Sequence, residues 1–156
     1  WEERDRGLYE EEVYLKQFQE LDPQDAEDIE KVIKGSGQTI RKRPYADTWV
    51  KYLKSKGYHV YILSNYSSYM LDHTKKELTF RREMDGEVFS CYANQLKPDA
   101  EIYQTILNKY QLKPEECVFI DDRPENCRGA QEQGIHTICF KDFKQVTADL
   151  EKLGVK

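Results

Sequence analysis

The sequence predicts an α/β fold with a parallel β-sheet, and two observations carry this prediction. From residue 43 onward, apolar residues at helical spacing alternate with short, continuous apolar runs of strand length. These segments follow the order strand, helix, strand, helix, strand, which is typical of parallel strands joined by right-handed crossovers. At 156 residues the chain has the size of one ordinary domain.

Each element of this α/β part has its own signal in the sequence. Apolar residues at helical spacing over 46–53 predict a helix that stops at Gly57, a favoured residue after a helix C-terminus. The apolar run 58–63 follows it and predicts a buried strand. A weaker strand signal lies at 88–90, and the apolar stripe over 102–110 predicts the next helix. The remaining elements are a strand at 117–120, a helix opened by Pro124 and a strand at 136–140.

The first 42 residues differ from the rest because they show helical spacing and no strand signal. Apolar residues at 13, 18 and 21 mark one helix, and those at 29, 32 and 33 mark a second, with Asp22-Pro23 between them. We therefore predict a helical subdomain over residues 1–42 that lies on an α/β core over residues 43–156. A plain helical hairpin packed on the core is the alternative.

The overall charge disfavours two classes of partner. The chain has 24 basic and 29 acidic residues, and its net charge of -5 creates no field that attracts nucleic acid or an anionic membrane. No apolar run approaches the roughly 18 residues of a spanning helix, and the N-terminus is charged where a signal peptide would be apolar. These features predict a cytoplasmic protein without nucleic-acid or membrane partners.

The cysteines and histidines carry no recognisable site. The cysteines are Cys91, Cys117, Cys127 and Cys139, and they form no Cys-x-x-Cys pair. Cys117 and Cys139 stand in apolar runs, so we expect buried, reduced thiols. The histidines (His59, His73 and His136) are dispersed, and we assign them no role.

Polar residues follow three of the expected strand ends or loops, where ligands of parallel sheets bind. They are Ser64-Asn65, Lys97 and Asp121-Asp122. Taken singly, the first pair suits turns or caps, Lys97 suits a solvated surface and one carboxylate suits a helix N-cap. Two adjacent carboxylates after an apolar strand are the strongest signal, because they repel each other unless a cation or several donors compensate them.

Together these groups describe a site for a phosphoryl group and a hard divalent cation. Mg²⁺ takes oxygen ligands and retains waters, which suits one or two carboxylates. Lysine, hydroxyl and amide groups donate to phosphoryl oxygens as charge develops on them.

Three motifs in order resemble the haloacid dehalogenase (HAD) superfamily. ILSN (62–65) resembles its second motif, LKPDAEIY (96–103) its third and VFIDDRPENCRGAQEQGI (118–135) its fourth. Within the superfamily, the residues of these motifs resemble those of sugar-phosphate phosphatases and of the phosphatase domain of epoxide hydrolases. The resemblance implies a Rossmann-like core with a small α-helical cap, and residues 1–42 would form most of that cap.

The resemblance also implies a role for each matching residue. Asp122 would be the direct Mg²⁺ ligand, Asp121 would support it in the outer shell or through water, and Asn126 would orient the acidic loop. Cap residues would choose the substrate, a small phosphorylated metabolite such as a sugar phosphate.

For the other matching residues, the resemblance implies roles in phosphoryl transfer. Ser64 and Asn65 would bind the transferring group, and Lys97 would neutralise its charge together with that of the nucleophile. Lys97 and Asp121 are therefore the catalytic candidates.

One part of the family pattern has no counterpart in the chain. The first motif of the family, an apolar strand that ends in Asp-x-Asp, supplies the nucleophile, and the chain contains no Asp-x-Asp. That strand lies in the centre of the family's sheet, between the ILSN and FIDD strands, so its absence would leave two strands with unpaired backbone groups across a slot. We expect that a few tens of residues lie upstream, and that residues 1–156 alone are inactive.

The sequence is therefore compatible with three functions. The leading one is Mg²⁺-dependent hydrolysis of a phosphomonoester through an aspartyl-phosphate. A metal-independent haloacid dehalogenase is the second, although adjacent carboxylates do not help a metal-free site. The third is a non-catalytic scaffold with the HAD fold, which would need no retained lysine and carboxylates.

Overall fold

The strands of the protein form two separate parallel pairs. A computed structural model describes residues 2–156, and in that range β1 (Tyr61–Ser64) pairs with β2 (Gly86–Phe89). The second pair is β3 (Val118–Asp121) and β4 (His136–Cys139). Both pairs are parallel, as the alternation of strands and helices predicted.

Helices make up most of the remaining structure. In chain order they are α1 (Glu2–Arg6), α2 (Glu11–Leu21), α3 (Ala26–Gly35), α4 (Ala46–Ser55), α5 (Ser68–His73), α6 (Ser90–Ala93), α7 (Ala100–Lys109), α8 (Pro124–Glu132) and α9 (Phe143–Lys152). Short 3₁₀ turns lie at Pro23–Asp25, Ser36–Thr39, Thr79–Glu83 and Pro114–Glu116. Within residues 2–156, each helix is too short or too polar to span a lipid bilayer.

The first strand begins three residues later than the sequence predicted. Residues 58–60 are not part of β1, because the Val60 amide donates to the Asp85 carboxylate at 2.8 Å. The weak strand signal at 88–90 is divided between two elements, since β2 ends at Phe89 and Ser90 begins α6. The helix α9 was not predicted.

The N-terminal helices contact the α/β core through α1 and the residue that follows it. Asn94 donates from Nδ2 to the carbonyl oxygens of Arg6 and Gly7 at 3.1 and 3.2 Å. A Cβ on Gly7 would lie 2.5 Å from the Cys91 carbonyl oxygen, so a glycine permits this close approach. The helical character of residues 2–35 agrees with the apolar spacing, while the division at residue 42 stays a prediction.

A cavity of about 320 Å³ lies between the two sheets. Its walls include Tyr61 and Leu63 of β1 and Phe119 and Ile120 of β3. In the described chain each of these strands pairs on one side only. We refer to this cavity as the inter-sheet slot, and it agrees with the expectation that the ILSN and FIDD strands are separated.

The four cysteines are free thiols, but their burial differs from the prediction. Cys91 and Cys127 are buried, whereas Cys117 and Cys139 are half-buried. The prediction that Cys117 and Cys139 are buried was wrong, because Cys117 precedes β3 and Cys139 is the last residue of β4.

Candidate active site

The carboxyl ends of β1 and β3 bring Lys97 and Asp121 into direct contact. The Lys97 Nζ lies 2.6 Å from Asp121 Oδ2 and also donates to the Leu63 carbonyl oxygen at 3.0 Å. The two side chains are only 8% and 7% exposed, so this is a buried ion pair. Lys97 thereby joins the ends of the two sheets across the top of the inter-sheet slot.

Asn65 fixes the backbone of Lys97. Its Nδ2 donates to the Lys97 carbonyl oxygen, and its Oδ1 accepts from the Lys97 amide, both at 2.9 Å. This reciprocal pair occupies the amide oxygen and leaves one Nδ2 hydrogen unused. Asn65 is thus a positioning group for Lys97, whereas its predicted contact with a phosphoryl group stays a prediction.

The second oxygen of Asp121 is also occupied. Asp121 Oδ1 accepts from the Arg123 amide and from Asn126 Nδ2, both at 2.9 Å. Asn126 is 2% exposed, and the hydroxyl of Tyr103 donates to its carbonyl oxygen at 2.7 Å. Lys97 and two donors at the start of α8, the Arg123 amide and Asn126, therefore hold the Asp121 carboxylate in one orientation, while the role of Asn126 in orienting the acidic loop stays a prediction.

Two of the predicted site residues stay free for a ligand. Asp122 is exposed, and its carboxylate forms no hydrogen bond or ion pair with residues 2–156. The half-buried Ser64 hydroxyl at the end of β1 is likewise unbonded within that part of the chain. The repulsion expected between the adjacent carboxylates is relieved because Asp121 is neutralised by Lys97 while Asp122 faces solvent.

The oxygen donors fit part of a Mg²⁺ site. Among residues 2–156, no three His, Cys, Asp or Glu side chains are grouped so that they could hold a metal ion. Asp122 offers one free carboxylate, which suits Mg²⁺ because this ion usually keeps several waters and takes one or two carboxylates. Buried Asn126 Oδ1 has no hydrogen-bond partner in the described chain, so the acidic loop holds a further unused oxygen.

Gly129, which the sequence did not mark as part of the site, lies against the loop that carries Lys97. A Cβ on Gly129 in α8 would lie 2.5 Å from the Pro98 carbonyl oxygen. The helix can therefore pack directly against the Lys97-Pro98 loop, whose peptide bond is cis. A glycine in the interior of the helix that Pro124 opens was the signal that could have found it.

Pro98 lies before the following helix, because α7 begins two residues later, at Ala100. The Asp99 amide instead donates to the Leu96 carbonyl oxygen at 2.9 Å, which forms a tight turn before the helix. This turn directs the Lys97 side chain back towards the ends of β1 and β3.

Parallel strands with helical crossovers define an α/β core, and the lysine–aspartate pair lies at the strand ends where such cores bind ligands. The family model of haloacid dehalogenase-like hydrolases matches residues 2–134. The chain therefore belongs to the haloacid dehalogenase-like hydrolase family, as the three motifs predicted.

Several curated proteins resemble the chain over much of its length. A flavin mononucleotide hydrolase of Arabidopsis thaliana is 27% identical over 99% of this chain and 62% of its own length. Bifunctional epoxide hydrolase 2 of Rattus norvegicus is 30% identical over 65% of this chain and 19% of its own length. The chain thus spans less than two thirds of each of these relatives.

Solved structures show the same fold. A HAD family enzyme from Bacteroides thetaiotaomicron, in complex with magnesium and inorganic phosphate, has a TM-score of 0.75. It is 21% identical, and the match covers 92% of this chain and 78% of that one. A HAD-like family hydrolase from Porphyromonas gingivalis has a TM-score of 0.73 at 22% identity, over 99% and 78% of the two chains.

Proposed function

We propose that the protein carrying this chain is a Mg²⁺-dependent phosphatase that hydrolyses a small phosphomonoester, with a sugar phosphate as the expected class. The observation that carries the proposal is the buried Lys97–Asp121 pair beside two unbonded groups, Ser64 and Asp122. The relatives support it, since the flavin mononucleotide hydrolase and a sesquiterpene phosphatase of Aspergillus oryzae both act on phosphate esters by name.

The residues of this chain would act on the phosphoryl group by charge and hydrogen bonds. The Ser64 hydroxyl and the remaining Nδ2 hydrogen of Asn65 would donate to phosphoryl oxygens. The Lys97 ammonium would offset the negative charge of the ester, while Asp121 and Leu63 keep it in place. Because these donors are held before the substrate binds, little reorganisation is needed during the reaction.

Mg²⁺ would be held by Asp122, with Asp121 as a supporting group and Asn126 as the residue that orients Asp121. When bound, the ion supplies positive charge that stabilises phosphoryl oxygens during transfer. The free carboxylate of Asp122 suits this role, and the three hydrogen bonds of Asp121 keep the loop in position.

The nucleophile is proposed to be an aspartate outside residues 1–156, on a strand that occupies the inter-sheet slot. The apolar walls of the slot and the unpaired sides of β1 and β3 suit an extended apolar segment. Such a strand would end between Ser64 and Asp121, beside Lys97. Residues 1–156 alone are therefore proposed to be inactive.

Phosphate release by the full-length protein tests the proposal. A panel of sugar monophosphates, phenyl phosphate and flavin mononucleotide is assayed with Mg²⁺ and with excess EDTA. We expect Mg²⁺-dependent release from at least one sugar phosphate, loss of that activity in Asp122→Asn, and normal activity in the control Asp28→Asn, whose side chain is exposed on α3. No release from any ester would contradict the proposal and favour a non-catalytic scaffold.

A haloacid dehalogenase is the second candidate because a relative carries that activity in its name. The (S)-2-haloacid dehalogenase 4A of Burkholderia cepacia is 32% identical over 61% of this chain and 41% of its own length. The unbonded carboxylate of Asp122 argues against a metal-free site, because in such a site its negative charge would have no cation to balance it. Chloride release from 2-haloacids in the presence of EDTA would reverse this preference.

A further inference from the structure

A second cavity lies between the N-terminal helices and the loop that follows β1. Its volume is about 560 Å³, and its walls include Asp5 of α1, Ser36 after α3, Asn65 and Tyr66 after β1, and Met70 of α5. Because Asn65 clamps Lys97, this cavity adjoins the candidate active site. We call it the cap cavity.

Most polar groups around the cap cavity are already bonded within the protein. The Arg4 guanidinium is paired with Glu11, with Nε 2.9 Å from Oε1. The Ser36 hydroxyl donates to the Ile33 carbonyl oxygen at 2.7 Å. These groups shape the wall but offer little to a ligand.

The carboxylate of Asp5 differs from these bonded groups of the cavity wall. Its backbone carbonyl oxygen accepts from the Ser90 hydroxyl at 2.5 Å, which ties α1 to the core. Its half-buried carboxylate forms no hydrogen bond or ion pair within residues 2–156. Burial raises the pKa of this carboxyl group, while the nearby Arg4 charge opposes the rise. A carboxylate in this setting gains stability from any donor that enters the cavity.

The negative charge of Asp5 restricts which groups of a ligand can bind beside it. A second phosphate or a carboxylate of a ligand would be repelled by Asp5, and the nearby Arg4 is already neutralised by Glu11. A neutral hydroxyl would instead donate to Asp5, while the carbon skeleton of the ligand packs on Met70. The cap cavity therefore suits an uncharged carbon skeleton that carries hydroxyl groups.

We infer that the cap cavity binds the hydroxylated carbon skeleton of a monophosphate ester, and that Asp5 determines specificity by accepting a hydrogen bond from one of its hydroxyl groups. This inference rests on the proposed function, because it assigns the other end of the same substrate. Asp5 does not contact the phosphoryl group in this arrangement. Its removal should change the choice of substrate and leave the chemistry of transfer intact.

The test compares substrates with and without hydroxyl groups in the full-length protein. Asp5→Ala, Asp5→Asn and the control Asp28→Asn are assayed on a panel of hexose and pentose monophosphates and on phenyl phosphate. For the best sugar phosphate, we expect kcat/KM to fall about tenfold or more in Asp5→Ala and less in Asp5→Asn, which keeps an acceptor oxygen. For phenyl phosphate, kcat/KM should change less than twofold in every variant.

Two kinetic results would overturn the inference. One is an equal loss on phenyl phosphate and on the sugar phosphate, which would mean that Asp5 supports the phosphoryl site or the fold. The other is an unchanged kcat/KM for every sugar phosphate in Asp5→Ala. Equal melting temperatures of the variants exclude misfolding as the cause of a selective loss.

A calorimetric binding measurement separates this inference from the proposed function. If the unmodified protein hydrolyses no ester, the phosphatase proposal fails, and binding of the sugar phosphates is then compared with binding of inorganic phosphate. Tighter binding of a sugar phosphate that Asp5→Ala abolishes would still support the inference. Equal binding by both proteins, or no sugar-phosphate binding, would overturn it.

Discussion

Asp121 and Asp122 are neighbours in the chain but have opposite surroundings. Asp121 is 7% exposed and is bound by Lys97, by the Arg123 amide and by Asn126. Asp122 is exposed and bonds with no other side chain of residues 2–156. One carboxylate therefore contributes to the internal structure of the site, and the other stays available to an incoming ion.

The difference shows how a strand end can hold two like charges. A buried carboxylate is stable only when a cation and hydrogen bonds compensate the loss of water. Lys97 provides that compensation for Asp121, and solvent provides it for Asp122. We therefore expect substitutions at the two positions to affect different properties.

The largest effect is expected for Asp122→Asn on activity. If Asp122 holds Mg²⁺, Mg²⁺-dependent kcat/KM of the full-length protein should fall about 1,000-fold, or roughly 4 kcal/mol of transition-state stabilisation. The free energy of unfolding should change by less than about 0.5 kcal/mol, because the side chain is exposed. Steady-state kinetics over a Mg²⁺ titration and urea unfolding measure both; activity within threefold of the original would remove Asp122 from the metal site.

Asp121→Asn should act mainly on stability. It leaves the Lys97 ammonium buried without its counter-charge, which should lower the free energy of unfolding by about 3 kcal/mol. Urea unfolding of the full-length protein measures this loss, and Asp122→Asn is the matched control. The double variant with Lys97→Met should recover part of the loss, because the unpaired charge is then absent. A single variant as stable as the control would show that the pair contributes little.

Gly129→Ala should have an intermediate effect. The added Cβ would meet the Pro98 carbonyl oxygen at 2.5 Å, so α8 and the Lys97 loop must separate. Overpacking of this kind costs about 1–3 kcal/mol of unfolding free energy. Gly35→Ala is the control, because a Cβ there meets nothing within 4 Å. Thermal and urea unfolding should show a loss for Gly129→Ala only, and an equal response would contradict the close packing.

The smallest effect is expected for the half-exposed pair of Arg81 and Glu87. The hydrogen bond from Arg81 lowers the pKa of Glu87 below its ordinary value of 4.5. This contribution to stability is complete above pH 4.5 and is lost as the pH falls through the lower folded pKa. Glu87→Gln should reduce the acid-induced loss between pH 6 and 3 by at most about 1 kcal/mol. Exposed Glu132→Gln is the control for urea unfolding across this range, and identical pH profiles would contradict the prediction.

The sequence predicted the positions of the site groups better than their contacts. Apolar runs that end in Ser64 and Asp121 located two strand ends, because parallel strands bring their carboxyl ends to one edge. The contact of Lys97 with Asp121 depends on the turn at Leu96–Asp99 and on the approach of α8 at Gly129. Such contacts between distant segments leave no periodic signal in the sequence.

Two missed elements have different causes. The helix α9 does carry a signal, since Asp142 accepts from the Gln145 amide at 2.8 Å as an N-cap and Val146 and Leu150 are buried at helical spacing. The start of α6 carries none, because Ser90 follows an apolar strand pattern directly. It is fixed by tertiary hydrogen bonds of the Ser90 hydroxyl with Asp5 and Tyr66.

The inter-sheet slot also bears on how these strands behave in solution. The outer side of β2 is protected, because the Tyr110 hydroxyl bonds both the amide and the carbonyl group of Glu87. In the described chain, the sides of β1 and β3 that face the slot pair with no further strand. Uncovered strand edges recruit strands of other molecules, so a chain with an empty slot is prone to aggregation through β-pairing. The strand that we propose for the slot would therefore also keep the protein monodisperse.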